Sequence, residues 1–266
     1  PEVEKLRSIS EPAAEGATKF YELNRAYKGQ LEQSLIREVR KAAQLKLKDI
    51  RSYESLMDYI YQDNKDTRAV VQYFDALMDG ETPNALTTEQ QNIAKAVKAN
   101  LKQSLDLRES FPDLGDIEGL ARGTKGNPNY LPHVMSRVAA KELADNPTGA
   151  KAAQLFDDFV EYRTTKRGQS VEEATQDWDT LRSMFTLQEG GDIASKFGAI
   201  DKAAGLGLPK SMREQNLLDR MSRFNRRFAR RVAYHEAIQR NPEVSKAFFD
   251  RQTGVASTET GKNVLE

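Results

Sequence analysis

Tyr234 to Arg240, "YHEAIQR", opens as the zinc-protease motif His-Glu-x-x-His does. In that motif two histidines at i and i+4 share a helix face and hold the metal, and the glutamate serves as base. Here the second ligand position is Gln239, whose amide oxygen is a poor zinc ligand, and the only other histidine is His133. No metal site and no cofactor are expected from these residues. The stretch leading up to it carries a stronger pattern. At about 100° per residue, Leu217, Met221, Phe224, Phe228, Val232 and His235 fall on one helix face, and Arg220, Arg223, Arg226, Arg227 and Arg230 gather on the other. From Leu217 to Arg240 seven arginines stand against Asp219 and Glu236, a local net charge of +5. Guanidinium groups in a row can grip phosphates in pairs of hydrogen bonds, so this strip offers a contact for nucleic acid or an acidic protein partner. The plainer expectation is an amphipathic helix whose arginines pair with acidic neighbours in the same chain.

Two Glu-Ser pairs, at Glu54 and Glu109, match the opening of the catalytic motif of lysozyme-like transglycosylases, where the glutamate is a general acid with a raised pKa. Nothing downstream matches the Gly-Leu-Met-Gln stretch of those enzymes, so a peptidoglycan hydrolase is the weakest functional expectation and no catalytic residue is assigned. Ala121 to Pro128 is glycine-rich and basic but lacks the Gly-x-x-x-x-Gly-Lys-Ser/Thr spacing that cradles phosphates. It is expected to be a surface loop, with Arg122 and Lys125 able to touch an anion.

The elements that must position these residues are helices. The chain has 266 residues, 38% of them hydrophobic, with a mean hydropathy of −0.69. That is a thin core for the length, and part of it is alanine, so an elongated helical body is expected. Forty basic and forty acidic residues cancel, so no global field draws the chain to nucleic acid or membrane. There are no cysteines, which removes disulfides and thiolate chemistry. No apolar run approaches the roughly 18 residues that span a bilayer, and no signal-peptide pattern opens the chain. It begins at Pro1, as a chain that has lost its methionine or as a piece of a longer protein.

Leu31, Leu35, Val39 and Ala42 mark one stripe of a long helix from Pro12 to about Asp49, weakened in its first half by Gly16 and Gly29. Helices follow over Ser52–Gln62 and over Thr67 to Gly80. Thr87 with Gln90, and Ser170 with Glu173, have the spacing of capping boxes and open helices to about Glu109 and Phe185. Helices are also expected from about Val134, after Pro147, from about Lys210 to Arg240, and over Asn241–Gln252, with Trp178 as a core anchor. The fold class is all-α, an elongated multi-helix bundle with one long irregular loop over about 111–133. Three regions are expected: a long-helix region over 1–80, a helical module over 81–252 and a flexible tail over 253–266.

Within the irregular stretch, "GNPNYLPHVM" stands out. Pro128 and Pro132 push Asn127 and Leu131 into extended conformations, so the segment is a stiff strap. Tyr130 is expected to be buried between helices, Pro132 to hold His133 at the start of the next helix, and the tyrosine hydroxyl and imidazole to bond backbone groups that the loop leaves free. The order "ALTTEQQNIAKAVKANLKQ", glycine-rich loop, "NYLPHVM" resembles a pattern in tailed-bacteriophage proteins, where a Leu-Thr-x-Glu-x-x-x-x-Ala helix precedes an Asn-Tyr-x-Pro-His/Arg strap. It is found in internal virion (ejection) proteins and large polyvalent phage proteins. The later "GLGLPKSMREQNLLDRMSRFNRRFARRVAYHEAI" is similar to a helix pair that often follows in them. The resemblance covers about Ala85 to Ile238. It implies a non-enzymatic structural or delivery role in the virion, from which such proteins enter the host cell with the DNA. The implied partners are other virion proteins, self-assembly or DNA, with no integral membrane segment. It carries over no catalytic residue. A helical nucleic-acid-binding domain using the arginine strip is the alternative.

Overall fold

A computed structural model describes residues 2–42, 65–114, 131–186 and 207–249. These are 79% helical and contain no strand, so the chain is all-α. The expected helix over Ser52–Gln62, Glu54, Arg122, Lys125, Tyr130, and the tail lie outside the described residues. Nine α-helices run in order among them: α1 Glu2–Arg7, α2 Glu11–Ala42, α3 Lys65–Met78, α4 Thr88–Glu109, α5 Arg137–Asp145, α6 Ala150–Arg167, α7 Val171–Thr186, α8 Leu217–Tyr234 and α9 Pro242–Phe249. None is long and apolar enough to cross a membrane.

The described residues divide into two compact units, one of residues 2–40, 96–114 and 225–249, the other of 41–42, 65–95, 131–186 and 207–224. Each unit draws on both sides of the boundary expected near residue 80. In the second unit, Asp75 of α3 and Asp79 just past its end pair with arginines more than 130 positions away.

Local signals start and stop the helices. Thr87 N–H donates to Gln90 Oε1 at 3.0 Å and Gln90 N–H to Thr87 Oγ1 at 3.3 Å. Ser170 N–H donates to Glu173 Oε2 at 2.8 Å and Glu173 N–H to Ser170 Oγ at 3.2 Å. Each reciprocal pair satisfies two backbone donors, as the capping box requires. At the end of α3, Glu81 N–H bonds Ala76 O at 2.8 Å and Gly80 N–H bonds Leu77 O at 3.3 Å. This is the six-to-one and five-to-two closure that places a residue at positive φ, and Gly80 takes it at 73°. Gly16 in α2 has a packing reason that its low helix propensity hides. A Cβ there would sit 2.2 Å from Val244 Cγ1 of α9.

In the first unit the core is alanine-rich: Ala13, Ala14, Ala17, Ala233 and Ala237 pack with Leu6, Phe20, Ile238, Val244 and Phe248. Small side chains let the helix backbones approach closely. In the second unit Met135, Leu143, Leu155, Phe159, Trp178, Leu181, Leu208 and Met212 form the core. The Trp178 ring meets Phe156 edge-on at 5.5 Å and Phe159 at 5.6 Å between centroids. Such pairs add about 0.5–1.5 kcal/mol each beyond their buried area.

Two helix starts differ from the sequence expectation. The helix expected from Val134 begins at Arg137, because residues 131–136 are non-helical, Ser136 is extended, and its Oγ caps the helix by accepting from Ala139 N–H. The helix expected from Lys210 begins at Leu217. Lys210–Met212 is a single 3-10 turn, Arg213 is extended, and Asn216 Oδ1 accepts from the N–H groups of Leu218 and Asp219 at 3.1 and 2.9 Å. After Tyr234 the helix widens into a π-type turn over His235–Gln239, closed by Arg240 N–H on His235 O at 2.9 Å.

Candidate functional site

The most concentrated chemistry lies in the second unit, where the extended strap meets residues 207–216. Met135 and Arg213 form an antiparallel bridge. Glu214 N–H donates to Val134 O and Ser136 N–H to Met212 O, both at 2.7 Å. This two-bond ladder satisfies backbone groups that a non-helical segment would otherwise bury unpaired.

Four charged side chains are buried against that ladder. Asp75 on α3 and Asp79, one residue past its end, stand four positions apart, beside the buried apolar Val70, Val71 and Phe74. Arg213 grips Asp79 with both terminal nitrogens, at 2.9 and 2.8 Å, and lies 3.3 Å from Asp75. Its Nε donates to Leu208 O at 2.6 Å, and its guanidinium carbon lies 5.2 Å from the Tyr162 ring centroid. Arg220, from the first turn of α8, grips Asp75 at 3.2 and 2.8 Å, and its Nε donates to Pro132 O of the strap. Two bidentate pairs thus join α3, the strap, residues 208–213 and α8. Burial works against the charge of Arg213, but the hydrogen bonds to Asp79 and the charges of Asp75 and Asp79 outweigh it and hold its pKa above the ordinary value. Arg223 completes the arrangement, donating to Met135 O at 2.8 Å and lying 3.4 Å from Asp219.

His133 is buried in the same place. Its Nε2 lies 4.0 Å from Asp75 Oδ1, too far for a hydrogen bond, and has no partner. Burial, then the charges of Arg213, Arg220 and Arg167, hold the imidazole pKa well below its usual value. The sequence expectation that His133 would bond free backbone groups and stand at a helix start is therefore corrected. Arg220 and Arg223 take the carbonyls of Pro132 and Met135, and the helix starts four residues later.

The five strip arginines have different fates. Arg220 is 0% and Arg223 6% exposed, and both spend their donors inside the unit. Arg226 is exposed and lies 3.3 Å from Glu32. Arg227 and Arg230 are half-buried, and Arg230 lies over the Phe20 ring at 5.9 Å. The helix buries more than one stripe: beside the apolar positions, Ser222 and Asn225 are also inside.

In the first unit His235 Nδ1 pairs with Gln239 Oε1 at 2.9 Å. Its Nε2 approaches Asp113 Oδ2 at 3.1 Å without hydrogen-bond geometry, and its ring meets Phe111 edge-on at 6.1 Å. The histidine is thus held by an amide, a carboxylate and an aromatic ring. Among the described residues no group of three or more His, Cys, Asp or Glu is placed to hold a metal. Glu109 is exposed at the last position of α4.

Two open grooves flank the ion pair of Glu81 and Lys210, one of about 360 Å³ beside Tyr73, Asp75 and Gln90, the other of about 390 Å³ beside Asp158, Glu161 and Tyr162. Lys166 Nζ reaches Asp79 O at 3.0 Å and Glu81 at 3.7 Å. The hydrogen bond from Lys210, with help from Lys166, holds the Glu81 carboxyl below its ordinary range.

Asp75, Asp79 and Arg213 were not singled out in the sequence. The available signal was an acidic pair at i and i+4, Asp75 on an apolar helix face and Asp79 just past the helix end. No protein-family model matches the chain, and searches of curated proteins and of solved structures give no match.

Proposed function

We propose that the chain is a non-enzymatic structural module of a phage virion-associated protein, delivered into the host cell with the DNA and acting through contacts with other virion proteins. One observation carries this reading. The residues behind the resemblance, the strap from Leu131 to Met135 and the start of α8, are bonded to one another through Arg220 on Pro132 O and Arg223 on Met135 O. Their polar groups go into an internal joint, so the motif works as a packing unit, which is what a structural role asks of it. A motif kept for chemistry or for gripping phosphates would hold those guanidiniums at a surface.

The test is mass spectrometry of purified particles of the phage that encodes the chain, before and after protease treatment of the intact particles. The expected result is that its peptides are present and survive the protease, as cargo inside the capsid would. Absence of its peptides from purified particles overturns the proposal.

A further inference from the structure

We propose that His133 makes the strap an acid-sensitive latch: on taking up a proton it releases the strap from residues 212–216. The geometry sets this up. Asp75, Asp79, Arg213 and Arg220 are all buried and their charges cancel. The imidazole lies 4.0 Å from Asp75 of α3 and feels the charges of Arg213 from the segment beside the strap, Arg220 from α8 and Arg167 from α6. The carboxylate oxygen nearest to it, Asp75 Oδ1, already receives Arg220 at 2.8 Å and Arg213 at 3.3 Å. A proton on His133 therefore adds a third cation to one oxygen inside a balanced, desolvated cluster. That charge is relieved when the strap opens and the ring meets water. Opening breaks the Glu214–Val134 and Ser136–Met212 hydrogen bonds, which are the ladder itself.

The direction follows from linkage. Opened to water, a histidine titrates near about 6.5. In the closed latch burial and the surrounding guanidiniums hold its pKa well below that. The closed state is then at full strength above about pH 6.5. Below it the open state binds one proton more, so the closing equilibrium weakens about tenfold per pH unit. Carboxylates ordinarily titrate near 4, under this window. The inference does not depend on the virion reading.

The experiment is amide hydrogen exchange of Ser136 and Glu214 by NMR on the full chain between pH 7.5 and 5.5, corrected for the intrinsic pH dependence of exchange. Protection is expected to be level down to about pH 6.5 and to fall about tenfold by pH 5.5. In His133→Gln, which cannot take up a proton there, it is expected to stay level. Protection that is level in the wild-type chain, or that falls equally in the variant, overturns the latch. Should His133→Gln fail to fold, the ring resonances of the wild-type chain decide. The sequence has two histidines, so His235→Gln assigns them. A His133 ring that stays neutral to pH 5.5 in the folded chain while Ser136 and Glu214 lose protection supports the latch, and a ring that titrates near about 6.5 in the folded chain refutes it.

Discussion

In the first unit the buried polar groups that join α2, α4 and α8 are neutral amides, while in the second the groups that join α3, the strap and α8 are charged. Asn100 Nδ2 donates to Leu31 O at 3.1 Å, and Asn225 Nδ2 donates to Asn100 Oδ1 at 3.0 Å, a two-step ladder between alanine-rich contacts. Asp75 instead receives two guanidiniums, whose Nε groups end on backbone carbonyls and one of which also grips Asp79. The difference matters because desolvating an ion costs far more than desolvating an amide, so a charged joint holds only while every partner is present. A neutral ladder that loses a partner leaves only uncharged groups unpaired, at a smaller cost.

The largest effect is expected at Asp75. Asp75→Ala leaves Arg220 without its carboxylate and Arg213 with Asp79 alone, and should destabilise the second unit by about 3–5 kcal/mol in urea unfolding. A loss below about 1 kcal/mol would mean that the guanidiniums find water, and the contrast between the units would fail.

Asn100→Ala gives the matching measurement in the first unit. It leaves Leu31 O and Asn225 Nδ2 without their partner and should cost about 1–3 kcal/mol. Equal costs for Asp75→Ala and Asn100→Ala would erase the distinction between charged and neutral joints.

The smallest effect is expected at Arg226, the exposed member of the five strip arginines. Arg226→Glu should change stability by less than about 1 kcal/mol, because an exposed pair such as that with Glu32 is screened by solvent. The same variant sharpens the functional contrast. The wild-type chain is expected to leave the mobility of duplex DNA unchanged at low salt. A shift that Arg226→Glu abolishes, and that weakens steeply as salt is raised, would move the chain to the nucleic-acid reading.

Both capping boxes, the Gly80 stop and the apolar stripe of α2 could be read from neighbouring residues, because helix ends are set by groups three to five positions apart. Trp178 as a core anchor was legible for the same reason, as one member of an apolar stripe. The start of α8 was missed because Asn216 competes with Pro209 and Lys210 as a start signal, and the bridge to Met135 decides between them.

What the sequence alone determined is the all-α class and most helix ends, since backbone hydrogen bonding and capping act within one or two turns. What tertiary structure decided is which charges are inside. Arg220 and Arg226 both fall outside the apolar stripe on a helical wheel, yet one is buried against Asp75, 145 positions away, and the other is exposed beside Glu32, 194 positions away. Local propensity carries no information about partners at that separation. Only the closing of the chain on itself brings Asp75 and Asp79 to the strap, and with it turns His133 from a residue in a loop into a neutral ring among guanidiniums.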